Sequence, residues 1–182
     1  MLYPRRRDRR SFPLHLKYTG SQLAFAVSYL RAHPDTRLVS LMIGANDLFR
    51  CQETTKDGCQ TELPAARAAL AHNVRRILST IRNQAHYRGQ LVIFNYYALN
   101  YGIAAISGQS TLLNSTVDGA ARQFHVRFAD GFGELHTATV HSGGDPCKAG
   151  LLTQTGAGKC GIHPSYAGQV LLAHTLHNAI SL

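Results

Sequence analysis

The sequence predicts an α/β fold on a mostly parallel sheet, and two observations carry that prediction. Helical and strand-like apolar periodicities alternate along nearly the whole chain, the order that lays helices over both faces of a sheet. The strand-like stretches are also short and continuously apolar, as strands covered on both faces must be. With 182 residues, 45% of them hydrophobic, the chain suits one domain with a real core. It has no internal repeat or low-complexity tract, and no apolar run reaches the ~18–20 residues that cross a bilayer.

Taken in order, Phe12, Leu14, Leu16 and Tyr18 alternate with other residues like a short strand, but Pro13 limits it to a sheet edge. Ser21 reads as an N-cap for a helix carrying Leu23, Phe25, Val27 and Leu30, which stops before Pro34. Leu38 to Ile43 is a buried strand bounded by Gly44. Leu63, Leu70, Val74, Ile77, Leu78 and Ile81 recur at helical spacing, with Arg67, Arg75, Arg76 and Arg82 on other faces, and Gly89 closes the helix. Leu91 to Tyr96 predicts a second buried strand. Leu112, Leu113, Val117 and Ala121 mark a helix interrupted by Gly119, and Val126 to Ala129 a third strand. Asp130 to Pro164 reads as a long glycine-rich loop, and Tyr166 to Ile180 as the last helix.

The formal charge is +9, and Arg5, Arg6, Arg7, Arg9 and Arg10 against Asp8 supply +4 of it. Residues 1–17 therefore form an arginine-rich leader, expected to be solvated, ahead of a domain spanning 18–182. A basic arm can hold nucleic acid or an anionic surface, but no zinc-finger, RNA-binding or helix-turn-helix signature follows, so no nucleic-acid partner is expected. The opening MLYPRRRDRRSF lacks the apolar segment of a signal peptide. Cys51, Cys59, Cys147 and Cys160 contain no C-x-x-C pair, which argues against zinc. Three disulfide pairings are open. The preferred one closes two local loops, Cys51–Cys59 and Cys147–Cys160, each contributing roughly 2–3 kcal/mol in the chain-entropy model. Disulfides imply an oxidising destination, so a body of this kind without a secretion signal suggests that the natural N-terminus lies further upstream.

Ligands of such sheets gather beyond the carboxyl ends of the strands. Gly44-Ala45-Asn46-Asp47 stands just after the first long strand, and Cys160-Gly161-Ile162-His163-Pro164-Ser165 just before the last helix. An asparagine amide at a strand end can donate to a developing oxyanion, or the four residues can form an ordinary Asx turn. His163, between Ile162 and Pro164, is held on a rigid turn, and imidazole suits a general base. The other nine histidines lack a comparable setting and read as structural or solvated.

Together these segments resemble the SGNH (GDSL-type) hydrolase family. Leu41-Met42-Ile43-Gly44-Ala45-Asn46-Asp47-Leu48 is similar to its G-x-N-D block, and Ile162-His163-Pro164-Ser165 with Gly168 to its D-x-x-H-P block. The cysteine pairs beside them look like those of secreted actinobacterial esterases and lipases of the family. The resemblance, from about Tyr18 to the C-terminus, implies a flavodoxin-like three-layer α/β/α fold and hydrolysis of short acyl or acetyl carboxylic esters through an acyl-serine. Small ester or lipid molecules would be the substrates, secretion the destination, and no metal or organic cofactor would be used. It implies Asn46 as oxyanion donor, His163 as the base and Asp47 as a support of the Asn46 loop.

The chain departs from the pattern in two places. The family's G-D-S-L-like serine block and its second, glycine block are not recognisable, and both would precede Tyr18. Gly20-Ser21-Gln22-Leu23 resembles the serine block in outline, but no buried strand leads into it and Ser21 already serves as a cap. Cys160 stands where the family has the carboxylate that orients the histidine. Asp145 is a remote substitute, and a backbone carbonyl holding His163 in a Ser–His dyad is the expected arrangement. With the family's first strands missing, Leu38 to Ile43 would have a free edge, to be covered by Phe12 to Tyr18 or by a second copy in a homodimer. The competing reading is a catalytically inactive truncated remnant, or a pseudoenzyme that keeps a ligand-binding cleft.

Overall fold

A computed structural model describes residues 17–156 and 158–180. Residues Phe12 to Leu16 of the expected edge strand, and the arginine-rich leader up to that point, lie outside the described residues. Lys17 and Tyr18 are not in a strand; Tyr18 instead stacks on Phe25 at 4.8 Å.

Three strands form the central sheet in the order β1 (Leu38–Leu41), β2 (Gln90–Phe94), β3 (Arg127–Ala129), and every pairing is parallel. Val39 faces Leu91 and Leu41 faces Ile93 across the first pairing. Alternation along β2 sends Leu91 and Ile93 into one core with α1 (Gln22–Ala32), α3 (Leu63–Ser79) and α4 (Ala104–Ala121). On the other face α6 (Tyr166–Ala179) crosses β3 and β2 and packs against α5 (Gly131–Ala138). A second core there joins Tyr97, Leu135, Leu151 and Leu152 with Leu171 and Leu172. The expected three-layer α/β/α fold is what the chain adopts. Among the described residues β1 pairs with β2 alone, so it ends the sheet.

Ser21 caps α1 as expected, its Oγ accepting from the Ala24 N–H at 3.1 Å. α3 opens with Pro64 in its first turn, where a missing N–H costs nothing. It then loosens into a π-helical turn, Thr80–Gln84. Arg82, expected on a plain outer face, lies in that turn and donates to the carbonyls of Tyr87 (3.1 Å) and Gly89 (2.9 Å). It thereby ties the end of this helical segment to the start of β2. Both expected disulfides, Cys51–Cys59 and Cys147–Cys160, are present.

Three expectations are corrected. The helix before β3 is not interrupted at Gly119: α4 runs unbroken through Gly108 and Gly119, each open to space on its outer side. Its buried face of Leu113, Val117, Ala120 and Ala121 outweighs the propensity cost of two glycines, about 1 kcal/mol each. Gly44-Ala45-Asn46-Asp47 is not a free-standing turn but opens a helix, α2 (Ala45–Thr54), with Gly44 as its N-cap. Asp130 to Pro164 is not one loop. It holds α5, capped by Asp130 through the Gly133 N–H (2.9 Å), and an antiparallel pair, β4 (Leu152–Gly156) and β5 (Lys159–Pro164). Glycine content hid both, and the shifted register of the β4–β5 hairpin left no clean alternation to read.

Gly44 sets the exit angle from β1. Its φ is +114°, and a Cβ there would meet Leu113 Cδ1 at 2.9 Å and Leu70 Cδ1 at 3.2 Å. Strain and crowding act together, so Gly44→Ala is expected to destabilise the fold by about 1–3 kcal/mol in urea unfolding.

Candidate active site

Two consecutive tyrosines at the carboxyl end of β2 bring the two sequence blocks together. Tyr96 Oη donates to the Met42 carbonyl at 3.2 Å, two residues before Gly44. Tyr97 Oη donates to the Ile162 carbonyl at 2.7 Å, immediately before His163. The segment leading into Asn46 and the segment carrying His163 are therefore fastened to the same end of the sheet. Sequence reasoning took Tyr96 for the end of a strand and missed both tyrosine anchors. A Tyr-Tyr pair at the strand end was the only local signal.

The tyrosines reach out because the chain has already left the sheet. Asn114, buried on α4, accepts from the Tyr96 N–H at 2.8 Å and donates to the Tyr96 carbonyl at 2.9 Å. One side-chain amide thus replaces the neighbouring strand that Tyr96 lacks.

Asn46 stands in the first turn of α2 and is exposed, as is Asp47, whose acidic side chain suits the positive end of the helix. His163 is the penultimate residue of β5, so it rides on a strand rather than on the expected rigid turn. Its ring is exposed, and its carbonyl accepts from Thr153 Oγ1 at 3.2 Å. The following residue pair is firmly set. Ser165 caps α6 through the Gly168 N–H (3.2 Å) and donates to the Gly150 carbonyl at 2.6 Å. Gly168 lies directly on the Leu151 carbonyl, where a Cβ has no room. Among the described residues neither the Asn46 amide nor the His163 ring has a side-chain hydrogen bond, so both are free to meet a ligand.

Asp145 is not beside His163 in any hydrogen bond of the described residues. One of its carboxylate oxygens accepts from the N–H groups of Cys147 (2.9 Å) and Lys148 (3.2 Å) and shapes the turn ahead of the disulfide. Cys160, at the position of the family's carboxylate, is bonded to Cys147. Ser21 and Ser165 are both engaged as helix caps.

A polar pair, Asn95 buried and Asp118 half-buried, supports this end of β2. Asn95 Nδ2 donates to Asp118 Oδ1 at 3.0 Å. Burial pushes the Asp118 carboxyl above its ordinary range, outweighing the Asn95 hydrogen bond and the attraction of Arg122, while Asp130 adds repulsion.

With this geometry in view, residues 13–176 match the GDSL-like Lipase/Acylhydrolase family, and the chain belongs to it. Three solved structures share its fold. A phospholipase A1 from Streptomyces albidoflavus is 25% identical, with 80% of this chain and 70% of that one covered at a TM-score of 0.56. The acetylxylan esterase Axe2 of Geobacillus stearothermophilus is 19% identical, with 86% and 68% covered at 0.55. A protein of Parabacteroides merdae assigned as a GDSL-like lipase is 16% identical, with 84% and 67% covered at 0.58. The chain thus spans 67–70% of the length of these three structures. Among curated proteins no match is found. Among the described residues no helix is long and apolar enough to cross a membrane.

Tyr97→Phe is expected to cost about 0.5–1.5 kcal/mol and to speed amide exchange in residues 159–164 while leaving β1 protected. For Asp118 the folded-state pKa lies above the unfolded value, about 3.9. Its contribution to stability is therefore full below that value and is lost as pH rises through the folded-state pKa. Asp118→Asn cannot ionise. Urea unfolding from pH 3 to pH 7 should show its stability improving relative to wild type as pH rises.

Proposed function

We propose that this chain carries the histidine and oxyanion half of a carboxylic ester hydrolase acting on short acyl or acetyl esters. The observation that carries this reading is the pair of tyrosine anchors, which holds the Asn46 and His163 segments at one end of a parallel sheet. Family membership supports the reaction class.

In the proposed reaction His163 takes the proton of a serine hydroxyl as its oxygen attacks the ester carbonyl. The Asn46 amide donates to the carbonyl oxygen as it becomes an oxyanion. Collapse breaks the bond to the alkoxy oxygen, and the alcohol leaves with the proton held by His163. Water then repeats the sequence on the acyl-serine. With Cys160 in a disulfide, a backbone carbonyl orients the imidazole in this reading and the machinery is a Ser–His dyad; Asp47 supports the Asn46 turn without taking part in the chemistry. No residue of this chain is assigned as the nucleophile. The paired cysteines and the family suit secretion into an oxidising compartment. Among the described residues β1 has no strand on its outer side, which suits pairing with a second copy that would also bring a serine to the site.

One observation favours the competing reading of an inactive, ligand-binding remnant: Ser21, in the serine-block lookalike, and Ser165, in the histidine block, are both engaged as caps. p-Nitrophenyl acetate hydrolysis separates the two. For an active enzyme, Asn46→Ala should lower kcat by about 10²–10³, His163→Ala should lower it to background, and Ser21→Ala should leave it unchanged. A wild-type rate equal to that of His163→Ala would leave the inactive reading standing.

A further inference from the structure

The arginines of this chain are unevenly placed. Residues 31–37, 82–90 and 122–127 lead into β1, β2 and β3, and they hold Arg31, Arg37, Arg82, Arg88, Arg122 and Arg127 against one acid, Asp35. Their net charge of +5 is all that the chain carries after Arg10, where the remaining eight cations are matched by eight acids. Hydrogen bonds gather the three segments at the amino end of the sheet. Besides Tyr87 and Gly89, Arg82 donates to the carbonyls of Phe124 (3.4 Å) and His125 (3.3 Å). Arg31 Nε donates to the Gln84 carbonyl at 2.9 Å, and the Gln90 N–H to the Arg37 carbonyl at 2.9 Å. Arg31, Arg37, Arg88, Arg122 and Arg127 are exposed, and the Arg37 and Arg88 guanidiniums have no hydrogen bond or ion pair among the described residues. The first charged residue past the carboxyl end of β1 is Asp47, and past β3 it is Asp130. The excess positive charge therefore lies at the end of the sheet opposite the candidate site.

We propose that this amino end is a docking surface for an anionic lipid bilayer. The cations spread in two dimensions. Arg37, Arg88 and Arg127 stand at or just before the starts of three adjacent strands, which are spaced about 5 Å apart. Arg31 and Arg122 stand at the ends of α1 and α4, in the helical layer beside them. Such an array faces a plane of headgroup phosphates better than it follows one strand of a polymer, and guanidinium pairs with phosphate through two N–H groups. Of the exposed large hydrophobics among the described residues, only Tyr29 belongs to this end, and its ring is stacked on His33 at 4.0 Å. No apolar wedge and no free ring is offered, so the contact is electrostatic and base stacking has no platform. Docked this way, the end that carries Asn46 and His163 faces solution, away from the lipids of that bilayer. Under the ester-hydrolysis reading the substrates are then soluble esters, whereas the docking itself does not require that reading.

The test is co-sedimentation of the full chain with vesicles of phosphatidylcholine, alone or mixed with phosphatidylglycerol, at low and high salt. Wild type should pellet with the mixed vesicles, and only at low salt. Arg37→Gln/Arg88→Gln/Arg122→Gln should weaken that binding about tenfold or more, since each basic residue near an anionic bilayer strengthens binding about fivefold. Removing three exposed cations elsewhere, in Arg50→Gln/Lys148→Gln/Lys159→Gln, should weaken it less than about threefold, because charges far from the bilayer are screened. The single reversal Arg88→Glu, which should weaken binding about fivefold or more, serves the same purpose should the first triple variant fold poorly. Equal losses in the two triple variants would overturn the proposal, because net charge rather than its placement would then set the binding. So would binding untouched by the first triple variant, which would assign it to the arginine-rich leader, or no binding to the mixed vesicles at all. Duplex DNA held at a salt concentration that strips the vesicles would give the surface to a polymer and overturn the bilayer.

Discussion

The amide of Asn114 is the contact on which the site end of this molecule depends. Where β2 stops pairing, the N–H and carbonyl of Tyr96 need partners, and Asn114 supplies both from α4. An unpaired buried peptide group costs roughly 1–3 kcal/mol, so without this side chain the strand could not leave the sheet here. Because it can, Tyr96 and Tyr97 follow the strand end in succession, pack against opposite cores and tie down segments that lie more than fifty residues away on either side. The carboxyl end of one central strand thereby organises both blocks.

The two blocks are held by different means. The Asn46 segment depends on backbone geometry: Gly44 takes a positive φ and packs against Leu70 and Leu113, which aims α2 away from β1. The His163 segment depends on cross-links: Tyr97, the Thr153 hydroxyl, the Ser165 cap and the Cys147–Cys160 disulfide all act within six residues. Such anchoring fits a residue that must keep its place while its side chain stays open to solvent, since positioning a reacting group is a large part of what an enzyme contributes. The Cys147–Cys160 disulfide fixes β5 three residues before His163.

The layers over the sheet are uneven. α1, α3 and α4 cover one face with a continuous core, while α5 and α6 cover β3 and β2 on the other. β1 ends the sheet among the described residues, with Ser40 exposed at its centre. A terminal strand with an apolar inner face is a site where further chain can add, because its outer N–H and carbonyl groups are already aligned for pairing.

Much of this was legible in the residues. Apolar periodicity located α1, α6, the start of α3 and all three parallel strands to within a residue or two, because burial on the sheet dictates that pattern directly; Gly89, expected to close α3, instead lies past the π-helical turn and just before β2. The G-A-N-D and I-H-P-S runs pointed to the family, and cysteine spacing pointed to both disulfides. Local chemistry could not show that Gly44 begins a helix, that β4 and β5 pair inside a glycine-rich stretch, or that α4 continues through Gly119. The first and last are decided by packing partners distant in sequence, whereas β4 and β5 form a local hairpin whose shifted register hides its alternation. Nor could it show that Tyr96 and Tyr97 join the two blocks, since a hydroxyl meeting a carbonyl 54 or 65 positions away exists only once the sheet has formed.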